Sequence, residues 1–279
     1  MVEANDLNDI VLIDTALAAR LERTEGLANA RFVEARSRQS SDSEAAWIQV
    51  AGAYAMFDGS DSPLTQSFGL GMQAQVTQCD FETIEAFYRD RKAPIYLEVS
   101  PLASGELLNL LNERNYRPFE YSSVMCRRIG PDISLPINRS QKIRVRVISD
   151  EESEQWAQTS ARGWSEHPEF IEMILGFGRT FASTVGATGM QAEIDGRPIA
   201  TGVVFIADNV ALLAGASTIP ESRRQGAQSA LLEARLRYAV EQGCDLSMMC
   251  ALPGSPSQRN AQRNGFQIAY TRTKWKLMI

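Results

Sequence analysis

The sequence is poor in the residues that build metal centres and disulfide frameworks. It has one histidine and four cysteines in 279 residues. Of Cys79, Cys126, Cys244 and Cys250, only the last two fall close together, so no metal site is expected and the thiols read as isolated and reduced. No apolar run approaches the roughly 20 residues of a membrane span. The opening MVEANDLNDIVLIDTALAAR has acidic residues where an export signal would be basic, so a cytoplasmic location is expected. Positive charge is not in excess either: 34 Asp and Glu outweigh 28 Lys and Arg, for a net charge of −6. That balance disfavours nucleic acid and anionic membrane as partners. What remains is ordinary globular material, 44% hydrophobic and 22% charged, enough for one large or two ordinary domains.

The segment GPDISLPINRSQK, with two prolines and no helical period, separates halves of similar length. The expected division is 1–130, a linker at 131–142, and 143–279. The second half opens with IRVRVI, an alternating strand pattern. Asp150 is placed to cap a helix through EESEQWAQTSARGW, and Pro168 to start another through PEFIEMILGFGRTF. Three strands follow, TGMQAEI, PIATGVVFIA and VALLAGAST, with tight turns at Asp195-Gly196 and Asp208-Asn209. A long helix ending at Gly243, the strand DLSMMCA, a short helix around SQRNAQRN and two strands, FQIAYT and RTKWKLMI, complete the half. The order predicts an α+β fold: a mixed, mostly antiparallel sheet flanked by helices, with one crossover through the long helix. Aligning Glu85 with Glu233 gives the first half the same run of helix, strand, short helix, corner and two strands, a pattern that predicts an internal duplication.

The most informative stretch is TIPESRRQGAQSALLEARL, Thr218 to Leu236. A helix start leaves its first backbone N–H groups without partners and carries partial positive charge. A tight turn before it converges those donors, glycine removes the Cβ that would obstruct an anion, and arginines add charge. Read without context, the same residues also describe a solvated arginine-rich turn before an ordinary amphipathic helix. In its strand-loop-helix setting, Arg223-Arg224-Gln225-Gly226-Ala227-Gln228 resembles the pyrophosphate loop of the GNAT superfamily of acyl-CoA-dependent N-acyltransferases. The resemblance covers Ile143 to Ile279, with Asn260 and the Gly265-Phe266 corner at the family's later helix–strand junction. Gln228 departs from the pattern, which has glycine or alanine there.

The resemblance implies a tandem of two GNAT-like domains, an acetyl-CoA donor and an amine acceptor attacking it directly in a ternary complex. It implies that the backbone of Ala214, Gly215, Ala216, Ser217 and Thr218 holds the pantetheine arm and acyl carbonyl. Pyrophosphate would rest on Arg223, Arg224, Gln225, Gly226, Ala227, Gln228 and Ser229, with Asn260 near the sulfur end of CoA. An amine attacks as the neutral base, so a proton acceptor is needed, and an acid assists the leaving thiolate. The family's usual acid tyrosine falls at Ala261 here, leaving Tyr270 as the substitute. Glu193, His167 and, beside the loop, Glu221 are the candidate bases, and Cys250 a candidate acyl carrier. Each has an ordinary reading as well: a packed strand tyrosine, solvated acids, an exposed histidine, a buried thiol. The competing function is therefore a CoA-binding or scaffold protein without catalysis. Trp164, Phe170 and Phe177 are candidates for an acceptor pocket or for the core. The acceptor amine and the oligomeric state stay open.

In the first half, QAQVTQCD aligns with the arginine loop but has no glycine or arginine, and places an aspartate where an anion would sit. Its neighbour GLGMQA matches a dinucleotide fingerprint only superficially and is set aside for want of a strand before it and a helix after it. The first half is expected to be a degenerate GNAT-like domain without its own CoA.

Overall fold

The computed structural model describes residues 11–40, 42–134, 140 and 142–278. The N-terminal ten residues and part of the expected linker, 135–139 and 141, lie outside the described residues. The chain divides into two compact units, Met1–Arg127 with Cys250–Ile279, and Arg128–Met249. Contact thus groups Cys250–Ile279 with the first half, whereas order along the chain groups it with the second.

The first unit contains α1 (Thr15–Gln39), α2 (Gln78–Arg89) and α3 (Gly105–Glu113). Its strands are β1 (Ala46–Val50), β2 (Ala53–Phe57), β3 (Gln66–Phe68), β4 (Tyr96–Val99) and β5 (Tyr116–Arg128). From the end of the chain come α7 (Pro256–Arg263) and β11 (Gln267–Leu277). The strand order is β1-β2-β3-β4-β11-β5. β3 and β4 pair in parallel through the crossover of α2, and β11 runs antiparallel to both β4 and β5. Phe81, Ile84 and Tyr88 of α2, Leu107 and Leu111 of α3, and Leu97 and Tyr116 of the sheet form its core.

The second unit begins with β6 (Arg144–Val147), α4 (Ser153–Arg162) and α5 (Ile171–Phe181). The meander β7 (Ala187–Ile194), β8 (Arg197–Ala207) and β9 (Val210–Thr218) follows. Both connecting turns place two residues at positive φ, Asp195-Gly196 and Asp208-Asn209, as two-residue hairpin turns require. Helix α6 (Ala227–Glu241) then crosses over to β10 (Leu246–Ala251), which pairs in parallel with β9. Strand order is β10-β9-β8-β7-β6. The mixed, mostly antiparallel sheet is as the patterning predicts.

Three local expectations are corrected. Ser149, not Asp150, caps the helical segment: its hydroxyl and the Glu152 carboxylate form a reciprocal box, and a 3-10 turn over Asp150–Glu152 leads into α4. The two expected terminal strands are one continuous strand, β11, whose ladder on β5 absorbs register shifts at Ile268/Tyr270 and Lys274/Trp275. β5 is likewise unbroken. Finally, GLGMQA does follow a strand, β3, and precede a helix, α2. What disqualifies it is packing: Leu70 and Met72 are buried, and a Cβ on Gly71 would stand 2.9 Å from Leu107.

The order of elements repeats once along the chain. The series α2-β4-α3-β5 matches α6-β10-α7-β11. In each, the first strand is parallel to the one before the helix, and the corner before the long strand has positive φ, at Asn115 and Gly265.

Candidate functional site

The site of the second unit begins with an irregularity in β9. Thr201 pairs with Ser217 and Val203 with Ala214, so Gly202 alone faces both Gly215 and Ala216. This is a β-bulge, made possible by Gly215 at φ 58°. The pairing of β9 with β10 also stops at Leu212–Met248, while β9 continues to Thr218. Gly215 and Ala216 are consequently exposed within a strand whose earlier residues are buried.

Beyond β9 the chain makes a 3-10 turn at Pro220–Ser222 and then a tight loop. Arg224 adopts φ 63° and Gly226 φ 95°. A left-handed arginine costs roughly 1–2 kcal/mol, and such strain concentrates where backbone groups are being aimed. Gly226 stands at the N-cap of α6 and supplies no side-chain cap. The first N–H groups of α6 thus find no side-chain cap and follow a loop with two left-handed residues, Arg224 and Gly226, the kind of helix entry that suits an anion. Gln228 does not close it, because its amide donates to Thr218 Oγ1 at 2.7 Å and lies back on the strand end.

Opposite the loop is the end of α4. Ser217 Oγ donates to the Ser160 carbonyl at 2.8 Å. Gly163 comes so close that a Cβ there would fall 1.8 Å from Ser217 Oγ. Arg223 reaches across to the same segment, donating to the Gly163 carbonyl at 3.0 Å and pairing with Glu166. That guanidinium holds the Glu166 carboxyl below the usual range. Arg223 is thus a strut, whereas Arg224 makes no ion pair among the described residues. Between loop and α4 lies a cavity of about 580 Å³, lined among others by Trp164, His167, Ser217, Arg224 and Gln228. Trp164 and His167 of its lining cluster with Phe170, ring centroids 6.0–6.2 Å apart and the Trp164–Phe170 pair edge to face.

The expected chemistry-bearing residues scatter. His167 lines the cavity, half-exposed, with Nδ1 3.6 Å from Glu169. Glu221 pairs with Arg162 at 2.6 Å. Glu193 is buried on β7, bound by Arg146 at 2.8 Å and by the Gln191 amide at 2.6 Å. Arg146 also holds Glu152, pulling that carboxyl down to about 2. Asn260 and Tyr270 are placed in the first unit. The Asn260 carbonyl accepts from the Asn264 amide at 2.7 Å. The Tyr270 hydroxyl is buried and donates to Glu22 at 2.9 Å, and burial together with the Glu22 charge pushes its pKa up. Arg272 completes that cluster, contacting Glu22 at 3.1 Å, Glu25 at 2.7 Å and Glu98 at 3.0 Å. Cys250 bonds Glu25 at 3.0 Å, and burial pushes its thiol pKa up.

A family model, that of the Acetyltransferase (GNAT) family, matches residues 148–266, the stretch that holds the bulge, the loop and the start of α6. Residues 148–266 form a GNAT domain. Solved structures extend the likeness of fold to most of the chain. A GCN5-related N-acetyltransferase from Kribbella flavida has a TM-score of 0.62 at 20% identity, over 88% of this chain and 94% of that one. One from Sphaerobacter thermophilus gives 0.54 at 16%, over 80% and 76%. A tandem GNAT protein from the clavulanic acid biosynthesis pathway gives 0.55 at 12%, over 90% and 95%. No curated protein matches the sequence.

Within the GNAT domain, three contributors to the cavity escape sequence reasoning: Gly163, Glu166 and Ser222. Gly163 follows α4 directly and reads as a simple helix terminator. Its close contact with β9 has no signature in the chain.

Proposed function

We propose that the second unit binds acetyl-CoA and transfers the acetyl group to an amine. In this reading the pyrophosphate sits on the amides from Arg224 to Ser229, with Arg224 supplying charge. The pantetheine arm follows Ala214 to Thr218, where the bulge opens the strand edge. The amine nitrogen attacks the thioester carbonyl carbon, the C–S bond breaks, and the thiolate leaves. His167, oriented by Glu169, receives the proton that the nitrogen loses, and that proton ultimately returns to the thiolate, giving free CoA thiol. Residues 143–279 are one transferase domain of descent, and the first half a relative that has lost its donor site.

The observation that carries this proposal is the uncapped, left-handed entry to α6 at Gly226 beside a cavity of the right scale. Calorimetry with CoA tests it. Gly226→Val would abolish measurable binding, and unchanged affinity would overturn the proposal. A Cβ at Gly226 meets nothing nearer than 3.9 Å, so a loss reports the backbone conformation rather than a clash.

The second reading, CoA binding without catalysis, draws on the engagement of Tyr270 with Glu22 and of Glu193 with Arg146. Thiol release from acetyl-CoA across a panel of amines separates the two. Tight binding with no release on any amine selects the second.

A further inference from the structure

Arg235 lies on α6 and is 3% exposed. Among the described residues no carboxylate pairs with it, and burial lowers its pKa to about 10. Among the described residues the guanidinium donates to main-chain carbonyls alone, those of Leu231 at 3.2 Å, Val203 at 3.3 Å and Ala214 at 3.4 Å. Two of these, Val203 and Ala214, are the register pair that borders the bulge. Gly202, the residue facing the bulge, makes room for the guanidinium, since a Cβ there would lie 3.2 Å from its carbon. A buried cation without a counter-ion is expensive, and an aliphatic side chain would fill the same space at less cost. Two sequence positions are therefore committed to keeping a cation beneath one particular peptide group.

That peptide is the bond from Ala214 to Gly215. It is trans, so its N–H points opposite to its carbonyl. Fixing the Ala214 oxygen toward Arg235 turns the Gly215 N–H away from α6, on the exposed stretch of β9. A cation bonded to the carbonyl also polarises the amide and makes the N–H a stronger donor.

We propose that Arg235 is a positioning residue for acyl transfer: it locks and polarises the Ala214–Gly215 peptide so that the Gly215 amide receives the thioester carbonyl oxygen. The proposal rests on the acetyl-CoA reading above and adds to it a residue that touches neither substrate. Arg235 acts on the carbonyl of the acyl group and not on the nucleotide tail. It therefore governs the difference between acetyl-CoA and CoA, which lacks that carbonyl.

Calorimetry with both ligands tests this. The wild-type chain would bind acetyl-CoA about 10-fold more tightly than CoA. Arg235→Met would bring the ratio to about 1 while leaving CoA affinity within about 3-fold. Isotope-edited infrared spectra of bound carbonyl-labelled acetyl-CoA would show a lowered carbonyl stretch in the wild type and a free-solution value in the variant. Should Arg235→Met not fold, Arg235→Lys keeps the charge but loses the fork, and its ratio would fall by at least about 3-fold. A wild-type ratio in either variant overturns the proposal, as does equal loss of both ligands. A wild-type chain that binds both ligands equally overturns it and leaves the CoA reading standing; one that binds neither removes the CoA reading itself.

Discussion

The two helices that open the repeated frames, α2 and α6, begin in opposite ways. At α2, Thr77 caps the first turn: its hydroxyl accepts from the Asp80 amide at 3.3 Å, while Asp80 accepts from the Thr77 amide at 2.8 Å. The free donors of the helix start are consumed by side chains, and a carboxylate occupies the first turn. At α6 the corresponding positions are Gly226 and Ser229, and no side-chain cap forms. The chain leading into α2 is packed with Leu70, Met72 and Val76, whereas the loop into α6 borders an open cavity. One helix start is closed by side chains and the other is left open, and the difference lies in a few residues around it.

The largest expected effect comes from the first unit. Arg272→Ala would leave Glu22, Glu25 and Glu98 buried without their shared cation, a loss of about 3–5 kcal/mol in urea melts. A smaller loss would mean that Lys274, 3.6 Å from Glu98, takes over. Next, Ser229→Asp gives α6 the acidic first turn of α2. CoA affinity would fall by about 10-fold or more, while the melting temperature stays level or rises, because an acid there suits the helix. A fall in both would break the parallel between the helices. The converse change, Asp80→Ser, would cost about 1 kcal/mol through the lost box and confer no CoA binding.

The two arginines of the loop sharpen the contrast further. Arg224→Ala would weaken CoA binding about 10-fold, as expected for a charge-assisted contact. Arg223→Ala would weaken it less, and only through loosening of the loop from Gly163 and Glu166. The reverse order, measured by calorimetry, would reassign their roles.

The smallest effect is one of pH. The Glu152 carboxyl, held at about 2 by Arg146 against an ordinary 4.5, stabilises the second unit above the ordinary value. That contribution fades as pH falls from 4.5 through about 2. The stability gap between wild type and Arg146→Met would narrow over that window in acid titrations followed by circular dichroism, and a constant gap would exclude the pair as its source.

Much of this was legible because the second unit obeys local rules. Alternation marks the strands of the meander, positive-φ residue pairs mark their turns, and the arginine-glycine run marks the helix entry. The long α1 was not legible. Its buried residues mix Glu22, Thr24 and Gly26 with alanines and only three larger apolar side chains, Leu21, Phe32 and Val33, so no continuous apolar stripe announces it. Gly26 is there for close approach to Tyr54, and Glu22 for a partner about 250 positions away in the chain. The bulge was invisible for the same reason, since VALLAGAST reads as a plain strand until its register against β8 is known. Arg235 likewise reads as one more surface arginine until Gly202 is placed opposite it.

The position of β11 has a consequence for how the protein is made. This strand is synthesised after everything else in the sheet of the first unit, yet it sits in the middle, between β4 and β5. Until it emerges, β4 and β5 have no shared neighbour, and Glu22 and Glu25 wait without Arg272. Closing such distant pairings is slow, so completion of the first unit waits on this strand. Cleavage within Gln267–Leu277 would take a central strand from that sheet together with the cation shared by Glu22 and Glu25.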